Sequence, residues 1–184
     1  MTGAVSTSST PDPPNAALDH ALFRRVMGSF VTGVTVVTTQ LRGEVRGMTA
    51  NAFMSGSLEP PLCVVAVALK ARMHAFLLEA GHFGVNILAR GQESLIGHFS
   101  GNPIDGLDPK YEYVGPTPLL PNCRAAMAAT VSARHACGDH TIFIGRISAM
   151  RHTEGVAPIV LHVGRLASLM PSAERPPVPD LDFW

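Results

Sequence analysis

Apolar positions along the chain change period several times, and each change marks an element. Behind Asp19 as a capping residue, Leu22, Val26, Met27 and Phe30 recur at helical spacing, predicting a first helix that exits between Gly28 and Gly33. Val31 to Thr39 is rich in Val and Thr and reads as a strand. Arg42-Gly43-Glu44 turns it back into a second strand over Val45 to Phe53, so the two form a hairpin. Pro60-Pro61 stops that strand and opens a third, through Leu69. Helical spacing returns from Arg72 to Glu79, with Met73, Phe76 and Leu77 on one face and Gly81 as the stop. Phe83 to Leu88 predicts a short strand, and Gln92 to Ser100 a helix carrying Leu95, Ile96 and Phe99 inward. Gly101 to Pro121, rich in Gly, Pro and Asp, predicts an excursion that is mostly loop, of the kind that serves as a lid or an interface arm. Three strands follow, Ala126 to Ala136, Thr141 to His152 and Pro158 to Leu169, with turns at Gly138-Asp139 and Glu154-Gly155.

This order surrounds two or three short helices with antiparallel strands and shows no strand-helix-strand alternation. A mainly β fold follows, a closed or partly closed barrel and not a doubly wound sheet. Residues 18–170 form one domain in this reading. Residues 1–17 are a disordered leader rich in Ser, Thr and Pro, without the basic and apolar regions of a signal peptide, and residues 171–184 are a Pro-rich tail on the surface or on a partner subunit.

Composition narrows the function classes. The 14 basic residues cancel the 14 acidic ones, so the charge excess of a typical nucleic-acid binder is missing and small molecules or protein surfaces are the expected partners. Three cysteines without pairwise spacing argue against a disulfide framework and for a reducing compartment, by default the cytosol. The longest apolar run, Leu62 to Leu69, falls far short of the roughly 20 residues that span a bilayer. Neither GxGxxG nor GxxxxGK[ST] occurs, which excludes the usual dinucleotide fingerprint and the P-loop.

Candidate chemistry concentrates between Arg46 and Pro61. Small residues, the hydroxyls of Thr49, Ser55 and Ser57 and the Asn51 amide lie there between apolar runs, with Gly47 and Gly56 allowing close approach. The segment reads either as decoration of a hairpin or as the rim of a site for a planar polar ligand; beside Gly138-Asp139-His140-Thr141 it points to a flavin. Backbone N–H groups near Ala50 and Asn51 suit the ring edge, and Ser55 and Ser57 suit the ribityl chain or phosphate. Lys70 and Arg72, at a helix start, are either a phosphate site or solvated charges. His135, Cys137 and His140 have a metal-like spacing but lack a second cluster, so no metal is assigned. No G-x-S-x-G elbow accompanies Asp139-His140, which leaves a hydrolase triad without support.

With these residues assembled, the chain resembles the short-chain flavin reductase family, the NAD(P)H-dependent reductase components of two-component flavin monooxygenases. Four stretches carry the resemblance: Phe23 to Thr39, Gly47 to Pro61, Phe83 to Phe99 and Gly138 to Ile147. It implies an antiparallel, Greek-key FMN-binding split β-barrel, a homodimer with flavin sites near the subunit interface, and reduction of free FMN or FAD by NADH or NADPH. Reduced flavin would pass by diffusion to a monooxygenase or halogenase. By the same resemblance Met48, Thr49, Ala50 and Asn51 match the flavin-ring segment, together with Thr35 on the preceding strand, and Ser55, Gly56 and Ser57 occupy the S-x-S segment. Lys70 and Arg72 stand in the phosphate loop, Arg72, Met73 and His74 look like an R-M-H variant that favours FAD, and His140 matches the histidine that orients the nicotinamide. The chain departs from the family pattern at Gly56, where Val is common, and at Leu166, where an aromatic is frequent. Two other readings stay open: a non-catalytic flavin-binding split barrel, and a flavin-dependent reductase of another acceptor such as a corrin.

Overall fold

The computed structural model describes residues 18–169, so the expected leader and tail lie outside the described residues. Helix α1 (His20–Gly28) starts where Asp19 Oδ1 accepts the Ala21 N–H at 2.8 Å. After β1 (Thr32–Gly33), strands β2 (Thr35–Leu41) and β3 (Glu44–Ala50) form the expected hairpin. Its two turn residues, Arg42 and Gly43, both have positive φ, 51° and 84°, the backbone that matches the twist of paired strands. Then come β4 (Phe53–Ser57), β5 (Leu62–Ala68), α2 (Arg72–Ala80), β6 (His82–Ile87) and α3 (Glu93–Phe99). Hairpin β7 (Glu112–Val114) and β8 (Thr117–Leu119) precedes the two long strands β9 (Ala125–Cys137) and β10 (His140–His152), and β11 (Val160–His162) and β12 (Arg165–Ala167) close the described chain.

Three expectations change. The strand expected over Val45 to Phe53 breaks at Asn51-Ala52, and Phe53 starts β4 on a different neighbour, β5. The strand expected over Val31 to Thr39 breaks at Val34, β1 pairing with β11 and β2 with β3 and β6, while the excursion from Gly101 to Pro121 is mostly loop around the short hairpin β7–β8, with Thr117 to Leu120 buried. Pro158 to Leu169 is a hairpin and not one strand, turning at Val163 and Gly164 with φ of 50° and 71°.

Seven strands form one antiparallel sheet in the order β3-β2-β6-β9-β10-β5-β4. Its two edge strands are joined by Asn51-Ala52 alone. Three Cα–Cα steps separate Ala50 from Phe53, at most about 11 Å. The sheet therefore curls until its edges meet, and because β3 and β4 do not pair, the barrel stays split. Each face of the sheet has its own core. Inside, Val37, Val65, Val67, Phe83, Val85 and Phe143 pack with Met73 and Leu77 of α2. Outside, Val36, Leu88, Leu120 and Ile159 pack with Leu95, Ile96 and Phe99. Asn86 ties the layers: its amide donates to Val36 O and Thr38 Oγ1 at 2.8 and 3.1 Å, and its Oδ1 accepts the Leu120 N–H at 2.7 Å. Those partners satisfy a fully buried amide that would otherwise be costly.

Candidate functional site

The split leaves the outer edge of β3 open. Leu88 N–H donates to Val34 O at 3.0 Å, so even-numbered residues of β2 direct their backbone to β6 and odd-numbered ones to β3. By the register, Glu44, Arg46, Met48 and Ala50 are the hydrogen-bonded partners, and Val45, Gly47 and Thr49 turn their N–H and C=O groups to the open edge. Helices cover both faces beside this edge. Thr49 Oγ1 donates to Ile96 O in α3 at 2.9 Å, Met48 packs on the inner core, and a Cβ on Gly47 would stand 2.4 Å from the Phe99 ring. Glycine is needed there for the ring to lie on the strand.

A cavity of about 590 Å³ opens along this edge, between the start of α2 and the end of α3. Arg46, Thr49, Arg72, His98 and Phe99 line it, and no carboxylate does among the described residues. Arg46 is held in place from two sides: Glu44 accepts from its Nη2 at 2.5 Å, and its guanidinium lies 4.7 Å from the centroid of the Phe76 ring. Its Nε is buried and has no partner. No side chain caps α2 at Ala71, which leaves the first N–H groups of that helix open at the cavity wall. His98 Nδ1 accepts the Ile104 N–H at 3.3 Å, an arrangement that puts the ring proton on Nε2.

A second group gathers where β5 ends beside the β9–β10 turn. His140 is opposite Ala68, and its Nδ1 shares a proton with Asp139 Oδ1 at 2.7 Å. That hydrogen bond and the His140 charge lower the Asp139 pKa, and Lys70 adds a smaller effect of the same sign. His74 Nε2 meets Thr141 Oγ1 at 2.8 Å, and its ring stands edge-on to Phe143. The R-M-H stretch therefore divides: Arg72 faces the large cavity, Met73 is buried in the core, and His74 turns to the strand that carries His140.

Thr35 and Asn51 belong to a third place, a cavity of about 240 Å³ with Phe30, Thr32, Phe53 and Ile87 in its wall. Thr35 Oγ1 donates to Ala50 O at 2.7 Å, while Thr32 Oγ1 is buried with no partner. Ser55 and Ser57 are opposite Cys63 and Leu62, with Gly56 bulged between them. They sit near the start of β5, whereas Lys70 and Arg72 follow its end. The strand between rises roughly 20 Å, so one protomer does not gather the S-x-S hydroxyls and these two cations around one phosphate. Arg46 and His98 were not among the residues singled out in the sequence. A usable signal existed for Arg46, since it shares strand parity with Met48 and Ala50 and so faces inward.

Burial pushes the Cys63 and Cys123 thiols up to about 11, which keeps both neutral, while Cys137 is exposed. Among the described residues no group of three or more His, Cys, Asp or Glu side chains is placed to hold a metal ion. No helix there is long and apolar enough to cross a membrane.

Two arginines in the wall, an uncapped helix and an open strand edge suit an anionic, ring-bearing cofactor, and the fold is that of a split β-barrel. Residues 27–170 match the family described as flavin reductase like domain, and the chain belongs to that family. It is 38% identical over 149 residues to an NADH-dependent flavin reductase of Rhodococcus sp, covering 79% of this chain and 84% of that protein. Identity is also 38% over 138 residues to the reductase component of 4-hydroxyphenylacetate 3-monooxygenase from Thermus thermophilus, covering 75% of this chain and 89% of that one. Among solved structures, flavin reductase PheA2 in its native state superposes with a TM-score of 0.81 at 39% identity, covering 84% of this chain and all of the other.

Proposed function

We propose that this protein uses NADH or NADPH to reduce free FAD or FMN and releases the reduced flavin to a partner monooxygenase or halogenase. The observation that carries this reading is the donor-lined edge of β3, lying within the region that matches the flavin reductase like domain family. A bound flavin supplies the hydride-accepting chemistry, so the protein needs no general base. Its residues bind, orient and exclude water. The open N–H groups of Gly47 and Thr49 and the Asn51 amide are donors for a ring edge, and Phe30 and Phe53 are apolar walls for its faces. Arg72 and the uncapped start of α2 hold a phosphate, stabilised by the helix dipole. His140, fixed by Asp139, orients the nicotinamide, and Lys70 beside it contributes charge to the pyrophosphate. Mixing purified protein with each flavin and each nicotinamide, and following absorbance at the nicotinamide band, tests the reading. Turnover with at least one pair is expected; none with any pair rejects it.

The homodimer belongs to the same reading. No residue of α1 is buried, and Leu22, Phe23, Val26, Met27 and Phe30 are 48–76% exposed. Next to them, Val163 N–H donates to Gly28 O at 2.8 Å, which extends the apolar surface onto the β11–β12 hairpin and exposed Leu166. A contiguous patch of this kind is covered in stable proteins, and a second copy covers it here. The free thiols accord with a cytosolic location.

A further inference from the structure

We propose that His74 is a positioning residue for the nicotinamide: through Thr141 it holds the tip of the β9–β10 hairpin, and with it His140, against α2. The inference rests on the reductase reading, in which His140 orients the nicotinamide. Cys137 and His140 are the last paired residues of the hairpin, and Gly138-Asp139, with Gly138 at a φ of 57°, closes the turn. Arg134 to Cys137 are exposed, so the end of β9 stands clear of the core. On its other side β10 stays paired with β5 until His140 meets Ala68, and Leu69 N–H then donates to Asp139 O at 2.9 Å. The bond between Asp139 and His140 lies wholly within the tip and moves with it. Contacts with α2 fix the face of the tip. His74 and Leu78 stand one turn apart on that helix. His74 Nε2 meets the Thr141 hydroxyl at 2.8 Å, its ring is edge-on to Phe143 with centroids 5.8 Å apart, and Leu78 O accepts from Arg134 Nη1 at 3.4 Å. Arg134 and Phe143 are register partners, so one helix face holds both strands of the hairpin. Thr141 is only 9% exposed, and its hydroxyl needs a protein partner. Imidazole and hydroxyl can each donate or accept, so the bond forms with either neutral tautomer of His74. Met73, buried in the core, separates this contact from Arg72 at the large cavity, and His74 does not line that cavity. Its loss therefore reaches the nicotinamide end before the flavin.

The test is steady-state kinetics on the full chain with NADH and the flavin that turns over, beside flavin affinity from a fluorescence titration. His74→Ala is expected to raise the KM for NADH about threefold to tenfold, with kcat and the flavin Kd within about twofold of wild type. Thr141→Val removes the other half of the bond and should give the same split. His74→Gln keeps a donor and an acceptor at the end of the side chain and should restore most of the lost KM. The decisive readout is the cycle with His140→Ala, on which His74→Ala should add little, because a positioning residue acts only through the group it positions. Should His74→Ala not fold by circular dichroism, Thr141→Val carries the same cycle. An unchanged KM for NADH in both variants, an equal loss of flavin affinity, or effects that add in full to that of His140→Ala would overturn the proposal and leave the reductase reading intact. No turnover by the wild type with any flavin and nicotinamide rejects the reductase reading and this inference with it.

Discussion

The two free edges of the seven-stranded sheet started from the same liability and met opposite fates. Edge β3 has α2 on one side and α3 on the other, and its open backbone groups face a cavity lined by Arg46, Arg72 and His98. Among the described residues edge β4 has no helix packed along it. Met54 and Leu58 stand 60% and 72% exposed there, and Gly56 bulges the strand. Unpaired edges invite association. In the proposed reading the contrast assigns one edge to a small polar ligand and leaves the other, with the apolar face of α1, for a protein surface.

Substitution can break that contrast at its ends. The largest effect is expected on the apolar side: Val26→Asp with Met27→Asp should dissociate the proposed dimer, each change costing about 2 kcal/mol of association at the centre of the interface. Sedimentation velocity would show it, and an unchanged mass would separate α1 from the interface. On the ligand edge, Gly47→Val forces Phe99 off the strand, since a Cβ would stand 2.4 Å from its ring. Destabilisation of about 1–3 kcal/mol is expected in denaturant titration, together with loss of dinucleotide binding.

His140→Ala removes one hydrogen-bonding group and should raise the KM for NADH about threefold to tenfold, with flavin affinity little changed. Unchanged NADH kinetics would separate the turn from the nicotinamide. Gly56→Val is the matched control for Gly47, because its Cβ would meet Val64 Cγ2 at 3.2 Å and Leu62 Cβ and O at 3.4 Å, tight contacts but no overlap like that at Gly47. Stability should move by no more than about 0.5 kcal/mol, and a loss as large as that of Gly47→Val would erase the difference between the edges. The smallest effect concerns pH. The hydrogen bond and charge of His140 hold the Asp139 carboxyl below the ordinary aspartate value, because the folded state favours the charged form. Its contribution is therefore present above that value and lost as pH falls through the lowered pKa. Carboxylate NMR should titrate with a midpoint below that of an unperturbed aspartate; a midpoint at or above it would mean that His140 is not held.

Much of the chain could be read in one dimension. Arg42-Gly43 and Gly138-Asp139 marked both principal hairpins, and Gly81 marked the end of α2, because positive φ leaves a direct residue signature. The break at Asn51-Ala52 left none. Alternation runs smoothly through Ala50 to Phe53, and only the change of partner from β2 to β5 reveals two strands. Strands β7 and β8 are three residues each, too short to establish a period, and Val163 at positive φ hid the last turn although Gly164 was a usable cue. In the candidate site, the β3 segment and Arg72 were legible from residue type. Arg46 and His98 were not singled out, since neither residue type carries a signature of its own at these positions.

By itself the sequence determined the mainly β class, the turns, the four family-like stretches and the set of residue types available for a flavin and a nicotinamide. These depend on short-range preferences and on order along the chain. Tertiary structure alone decided which of those residues meet. A sheet that curls until its edges are joined by two residues put Arg46 beside α2 and Phe99 over Gly47, and carried Ser55 and Ser57 away from Lys70. Cavities form between elements distant in sequence, and their donors converge only when the register and the curl of the whole sheet are set.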